Sequence, residues 1–194
     1  MPAIKAVTVF GGASSGSSPI FRDVATALGE KLAKAGITVI FGGGSIGMMG
    51  AVADGALAAG GQVIGIIPDF LARKEVAHTK VTEMIVTDSM HSRKRRMFEM
   101  SDAFVTLPGG LGTLDETFEM ITWRQLDLHA KPILVCDIEG WGMIFADMVD
   151  SYVEMGFAPA HSRDFFEVLE SADAIVERLM ELPVIETATD SARL

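Results

Sequence analysis

Ala103-Phe104-Val105-Thr106-Leu107-Pro108-Gly109-Gly110-Leu111-Gly112-Thr113-Leu114-Asp115-Glu116 passes from an apolar run, through a proline and three glycines, into a helical pattern. The run from Ala103 to Leu107 reads as a buried strand, and the glycines as a tight turn opening a helix. Such a turn has few side chains, so its N–H groups lie bare where the helix dipole is positive. That arrangement favours an anion, most often a phosphate. Glu116 follows one turn inside the helix, which sets a carboxylate beside the anion.

The same alternation extends in both directions. Strands are predicted at Ile4 to Phe10, Ile37 to Phe41, Val63 to Ile67, Ala103 to Leu107 and Pro132 to Cys136, with a last one at Phe165 to Val168. Helical spacing covers Pro19 to Ala35, Ile46 to Ala59, His91 to Ser101, Thr113 to Leu128, Trp141 to Met155 and Ser171 to Leu182. Residues 69–85 read as a short helix and an irregular loop. Short strands that are apolar throughout, each followed by a helix, predict an α/β fold: a Rossmann-like, doubly wound parallel sheet with helices on both faces. In such sheets the ligand site lies at the carboxyl ends of the strands. Glycine-rich turns fall there at 11–16, 42–50 and 109–112. One domain over 1–185 with a flexible tail over 186–194 is expected.

Composition narrows the function. The chain has 194 residues, 49% of them hydrophobic, and a net charge of −10. That charge disfavours nucleic acid and anionic membranes as partners. There is no apolar run of about 18 residues, so no membrane span is expected. The single cysteine, Cys136, follows an apolar run and reads as core packing; it fits a reducing cytoplasm. His78, His91, His129 and His161 have no metal-ligand spacing, so no metal is expected. The first turn, Gly11-Gly12-Ala13-Ser14-Ser15-Gly16, lacks the Gly-x-Gly-x-x-Gly fingerprint of dinucleotide binding, and no Walker lysine is present. Gly12 and Ser14 in that turn are candidate ligand contacts. Gly42-Gly43-Gly44-Ser45 has two readings: close helix–sheet packing at Gly47 and Gly50, and exposure of Gly43, Gly44 and Ser45 to a ligand.

Two residues stand out, and each has a structural alternative. Arg93 lies in the basic helix Met90-His91-Ser92-Arg93-Lys94-Arg95-Arg96-Met97, near its buried edge. It offers a planar fork to a phosphate or carboxylate, or serves as a structural tie. Glu116 lies three residues after Thr113, the spacing of a capping box in which a glutamate only satisfies backbone donors. Its helix has one stripe with Met120 and Trp123 and another with Leu114, Phe118 and Ile121. Two apolar sides predict burial on both, one against the sheet and the other against a second subunit in a homodimer.

These motifs resemble the Lonely Guy family of cytokinin riboside 5′-monophosphate phosphoribohydrolases, long labelled lysine decarboxylases. Pro108-Gly109-Gly110-Leu111-Gly112-Thr113-Leu114-Asp115-Glu116 resembles that family's Pro-Gly-Gly-x-Gly-Thr-x-x-Glu signature. Phe41-Gly42-Gly43-Gly44, Gly47-Met48-Met49-Gly50, Met90-His91-Ser92-Arg93-Lys94 and Thr122-Trp123-Arg124-Gln125-Leu126 extend the likeness over nearly the whole chain. The resemblance implies that Arg93 and Glu116 are catalytic. It implies substrate contacts at Glu75, Lys94 and Thr122, and through the turn residues Gly110, Leu111, Gly112, Thr113, Leu114 and Asp115. The first turn departs from the family's usual Cys-Gly-Ser-Ser, Phe41 replaces a common tyrosine and Met48 a common leucine.

The implied reaction is hydrolysis of the N-glycosidic bond of a purine nucleoside 5′-monophosphate, releasing free base and ribose 5-phosphate, without a cofactor. The alternatives are a non-catalytic nucleotide or phosphorylated-cofactor carrier of the same fold, a pyridoxal-phosphate decarboxylase, which needs a Schiff-base lysine, and a protein that binds an acidic partner through its basic helix.

Overall fold

The computed structural model describes residues 4–73 and 77–183. Its strands are β1 (Ala6–Phe10), β2 (Thr38–Phe41), β3 (Val63–Pro68), β4 (Glu83–Thr87), β5 (Ala103–Thr106), β6 (Ile133–Cys136) and β7 (Glu167–Leu169). The helices are α1 (Pro19–Lys34), α2 (Gly47–Ala58), α3 (Asp69–Ala72), α4 (Met90–Met100), α5 (Leu111–Gln125), α6 (Trp141–Glu154) and α7 (Ala172–Glu181), with a 3₁₀ turn at Ala160–Phe165. The sheet order is β4-β3-β2-β1-β5-β6-β7, and every pairing is parallel.

Period-two alternation distributes the core. Val7 and Val9 of β1, with Ala103 and Val105 of β5, pack on the face covered by α1, α2 and α7. Phe10 and Phe104 point to the other face, against Met97 and Phe98 of α4, Met120 of α5 and Phe145 of α6. Phe98 and Phe104 stack with ring centres 5.9 Å apart. Pro19 begins α1 behind an extended Ser18, and Ala25, Leu28, Gly29 and Leu32 form its buried stripe. The α1–α2 crossing is close because of its glycines. A Cβ on Gly29 would stand 2.0 Å from the Val52 carbonyl oxygen, and one on Gly55 2.1 Å from that of Thr26.

The structure revises several expected boundaries. Residues 69–85 contain α3, as expected, but also an additional strand, β4, whose edge is unpaired in the sheet order. Glu83 and Val86 of β4 are exposed, so the strand lacks the continuous apolar run that marks the buried strands. Helix α5 begins at Leu111, with Gly110 as its N-cap, not at Thr113. The last strand is Glu167–Leu169, because residues up to Phe165 form the 3₁₀ turn. Both apolar stripes of α5 meet the same chain. Phe118 packs on Phe145 of α6 with ring centres 5.1 Å apart, and Trp123 packs edge-on to Phe98 of α4 at 5.2 Å. Two-sided apolarity of α5 therefore has an explanation within one chain. The expected tail, 186–194, lies outside the described residues.

After β1 the chain passes first to β2 and later returns to β5 on the other side, so the crevice between β1 and β5 is the topological switch point. The turns after these strands are tied together by Gly12 N–H donating to the Pro108 carbonyl at 3.1 Å.

Candidate active site

A cavity of about 600 Å³ opens over that switch point, a volume suited to a small organic ligand. Its floor is made by residues 11–17 and by the turn Pro108-Gly109-Gly110. Arg93, Thr113, Asp115 and Glu116 bring the polar groups, and Phe21, Met48, Met49, Leu71, Met90 and Trp141 supply apolar wall.

Helix α5 points its N-terminus into this space. The first helical bond is donated by Leu114 N–H to the Gly110 carbonyl at 3.1 Å. The N–H groups of Leu111, Gly112 and Thr113 therefore have no partner one turn back in the helix, and together with the dipole they form an anion cradle. Gly109 is required by close approach, since a Cβ there would lie 2.1 Å from Thr113 Oγ1. Thr117 anchors the first turns to the sheet: its Oγ1 donates to the Thr113 carbonyl at 2.7 Å and lies 2.9 Å from Thr106 Oγ1 of β5.

The boundary of α5 excludes the capping-box role for Glu116. A capping box needs the N-cap side chain, and the N-cap here is Gly110, which has none. Thr113 is the third helical residue and Glu116 lies in the second turn. Its side chain is 11% exposed and faces the cavity rather than the helix terminus.

Arg93 approaches from α4, whose start is secured by a Ser89/Ser92 capping box. Its side chain is 7% exposed. Its Nε donates to the Ile66 carbonyl at 3.0 Å and its Nη2 to the Gly42 carbonyl at 3.2 Å, which clamps it across the ends of β3 and β2. Nη1 then stands 3.4 Å from Glu116 Oε1. Thus the arginine is both a structural tie and a cavity group. Gly42 makes room for it: a Cβ at that position would come within 2.1 Å of Nη2.

Burial pushes the Glu116 carboxyl up to about 7, and the charges of Arg93 and Lys94 only partly oppose this, while those of Asp115 and Glu119 add to it. A carboxyl titrating near neutrality can exchange a proton at working pH. Lys94 behaves differently from Arg93. Its Nζ lies 3.0 Å from Asp115 Oδ2 and 3.1 Å from Glu119 Oε2. Burial opposes its charge, but the two carboxylates outweigh burial and hold its pKa above the ordinary lysine value.

The other sequence candidates divide clearly. Gly12, Ser14, Gly110, Gly112, Thr113 and Asp115 line the cavity with Arg93 and Glu116. Leu111 is outside the lining and is 86% exposed. Leu114 and Lys94 are outside the lining, and Thr122 is exposed near the far end of α5. Gly43, Gly44 and Ser45 also lie outside it. Gly43 adopts a left-handed backbone (φ 81°) against Ile67 and Met84, and Gly44 bridges to Ala77. Glu75 falls outside the described residues. The sequence reading missed Phe21 and Trp141, which reach the cavity from the first turns of α1 and α6. Their signal was positional: each opens a helix next to a strand's carboxyl end. No lysine lines the cavity among the described residues, so its walls offer no Schiff-base partner for pyridoxal phosphate.

Over residues 49–179 the chain matches the family described as "possible lysine decarboxylase". It is 43% identical over 175 residues to the probable cytokinin riboside 5′-monophosphate phosphoribohydrolase LOGL9 of Oryza sativa subsp. japonica, covering 90% of this chain and 77% of that protein. It is 39% identical over 175 residues to cytokinin riboside 5′-monophosphate phosphoribohydrolase LOG1 of Arabidopsis thaliana, covering 90% and 82% respectively. Among solved structures, the molybdenum cofactor binding protein of Rippkaea orientalis superposes with a TM-score of 0.68 at 22% identity, over 90% of this chain and 94% of the other. The molybdenum cofactor carrier protein of Chlamydomonas reinhardtii superposes with a TM-score of 0.69 at 20% identity, over 92% and 99%. At those identities the structural likeness establishes a shared fold.

Proposed function

Because the chain belongs to the Lonely Guy family of cytokinin riboside 5′-monophosphate phosphoribohydrolases, we propose that it hydrolyses the N-glycosidic bond of purine, cytokinin-type nucleoside 5′-monophosphates. The products are the free base and ribose 5-phosphate. The observation that carries this reading is the placement of a buried carboxyl, Glu116, beside Arg93 on a cavity that also receives the N-terminus of α5.

In this reading the 5′-phosphate sits on the N–H groups of residues 111–113 and fixes the ribose over Glu116. Breakage of the C1′–N9 bond leaves its electron pair on the purine and builds positive charge on the sugar. Ionised Glu116 stabilises that charge, and its titration near neutrality suits it to take the proton of the water whose oxygen bonds to C1′; solvent then carries a proton from Glu116 to the purine anion, which leaves as the neutral base and resets the carboxylate. Arg93 stays charged, so it donates no proton. Its two carbonyl contacts hold it rigidly, and from there it orients Glu116 and favours its ionised form.

The test follows base release from AMP and from isopentenyladenosine monophosphate by chromatography. Glu116→Gln and Arg93→Ala are each expected to lose at least a hundredfold in kcat/KM, in line with general-base catalysis. Full turnover in Glu116→Gln removes that residue from the mechanism. The dephosphorylated nucleoside is expected to be a poor substrate, because the cradle on α5 then has nothing to hold. The same reading includes a cytoplasmic location and a homodimer using exposed apolar positions on α5 and α6 and at their C-caps, among them Leu111, Leu126, Ile144 and Met155. Light scattering at micromolar concentration tests the dimer.

A further inference from the structure

Helices α4 and α5 carry the two halves of the Arg93–Glu116 pair. They meet through Phe98 on Trp123 at one end and through Lys94 on Asp115 and Glu119 nearer the cavity. We propose that Lys94 and Glu119 form a strap that holds α5 against α4 and balances the charge around Glu116, with Glu119 as a positioning residue and Lys94 its counterpart. The proposal rests on the hydrolase reading only for its kinetic consequence.

Three observations support it. Lys94 directs its amine at two carboxylates of α5 and is absent from the cavity lining. The ends of the strap differ: the Lys94 side chain is 14% exposed and that of Glu119 24%, whereas that of Asp115 is 61% exposed. The Lys94–Glu119 contact is therefore the less screened of the two. Finally, Asp115 and Glu119 flank Glu116 on one helix and Lys94 follows Arg93 on the other, so the strap sits directly beside the catalytic pair. Without Lys94, Glu116 would share its surroundings with two unbalanced carboxylates, and each would oppose its ionisation. The charged groups facing Glu116 are Arg93 and Lys94 from α4 and Asp115 and Glu119 from α5. Among the described residues, the turn after β1, the start of α2, α3 and α6 bring no ionisable side chain to the cavity.

The test reads Glu116 directly. In protein labelled with ¹³C at glutamate carboxyls, the Glu116 signal is assigned by its disappearance in Glu116→Gln and titrated in Lys94→Met, Glu119→Gln and the double variant. Removing the lysine is expected to raise the Glu116 midpoint, and removing the glutamate charge to lower it, each by roughly half a unit to one unit. The double variant should fall between them, and Lys94→Arg should restore the parental value. A purely structural tie would shift both single variants in the same direction or neither. The proposal is overturned if the two midpoints coincide with the parent's, or if Lys94→Met raises KM for AMP with the Glu116 titration unmoved, which makes the lysine a substrate contact. If the midpoints diverge as expected but the parent releases no base from either nucleotide, the strap stands and the hydrolase reading falls.

Discussion

Replacing Glu116 by glutamine should make the protein more stable relative to the parent as the pH rises, while abolishing its chemistry. The magnitude follows from the site. Glu116 has an ordinary carboxyl value of 4.5 in the open chain and about 7 in the folded protein, because burial disfavours its charge more than Arg93 restores it. In the interval between those values the folded state binds more protons than the unfolded one, so stability falls as pH increases. The penalty is small below 4.5 and complete above about 7. The difference between those values, at 1.36 kcal/mol for each pH unit, corresponds to about 3 kcal/mol, most of which develops between pH 5 and pH 8. Glutamine has similar size and no charge to bury, so its own stability lacks this component. Any fixed effect of the substitution on packing or on Arg93 cancels when the two pH values are compared. The assay is urea unfolding of parent and Glu116→Gln at pH 5 and pH 8, where the change corresponds to roughly 1 M in midpoint. A stability difference that stays within about 0.5 kcal/mol across this range would refute the claim that Glu116 is forced toward its neutral form by burial. Such a cost, carried by a folded protein at neutral pH, is the expected mark of a residue kept for chemistry.

Two further outcomes follow from the same geometry. Gly42→Ala places a methyl group 2.1 Å from Arg93 Nη2, so the guanidinium must give up its contact with the Gly42 carbonyl. Turnover should therefore drop more than tenfold, and a folded variant that keeps parental turnover would show that the arginine had not been displaced. Cys136 is fully buried, and burial pushes its thiol up to about 12. It should resist thiol reagents at pH 8 until the protein is unfolded in denaturant, and rapid labelling of the native protein would contradict that burial.

Much of this molecule could be read from local pattern. The buried strands appeared as short apolar runs because a parallel sheet covered on both faces leaves no polar side to interrupt them. The glycine turns after β1, β2 and β5 stood at strand ends, where a doubly wound sheet places its ligands. That was enough to bring Glu116 and the turn at 109–113 forward as candidates, while Arg93 stood out by its place in a basic helix. β4 escaped notice because an edge strand has an open face, and its exposed Glu83 and Val86 broke the apolar run.

The exact start of α5 was also beyond the sequence. Thr113 and Glu116 have the spacing of a capping box, and only the observed N-cap at Gly110 shows that the glutamate is free to face the cavity. The roles of neighbouring residues diverged for a similar reason. Arg93 and Lys94 are adjacent in sequence, but a helix turns about 100° per residue, so one enters the cavity and the other reaches Asp115 and Glu119. Chain pattern alone thus determined the fold class and the end of the sheet where the site lies, since these depend on periodicity and backbone freedom. Tertiary structure decided which carboxylate each cation meets and how strongly Glu116 resists ionisation, since both depend on distances and burial between segments remote in the chain.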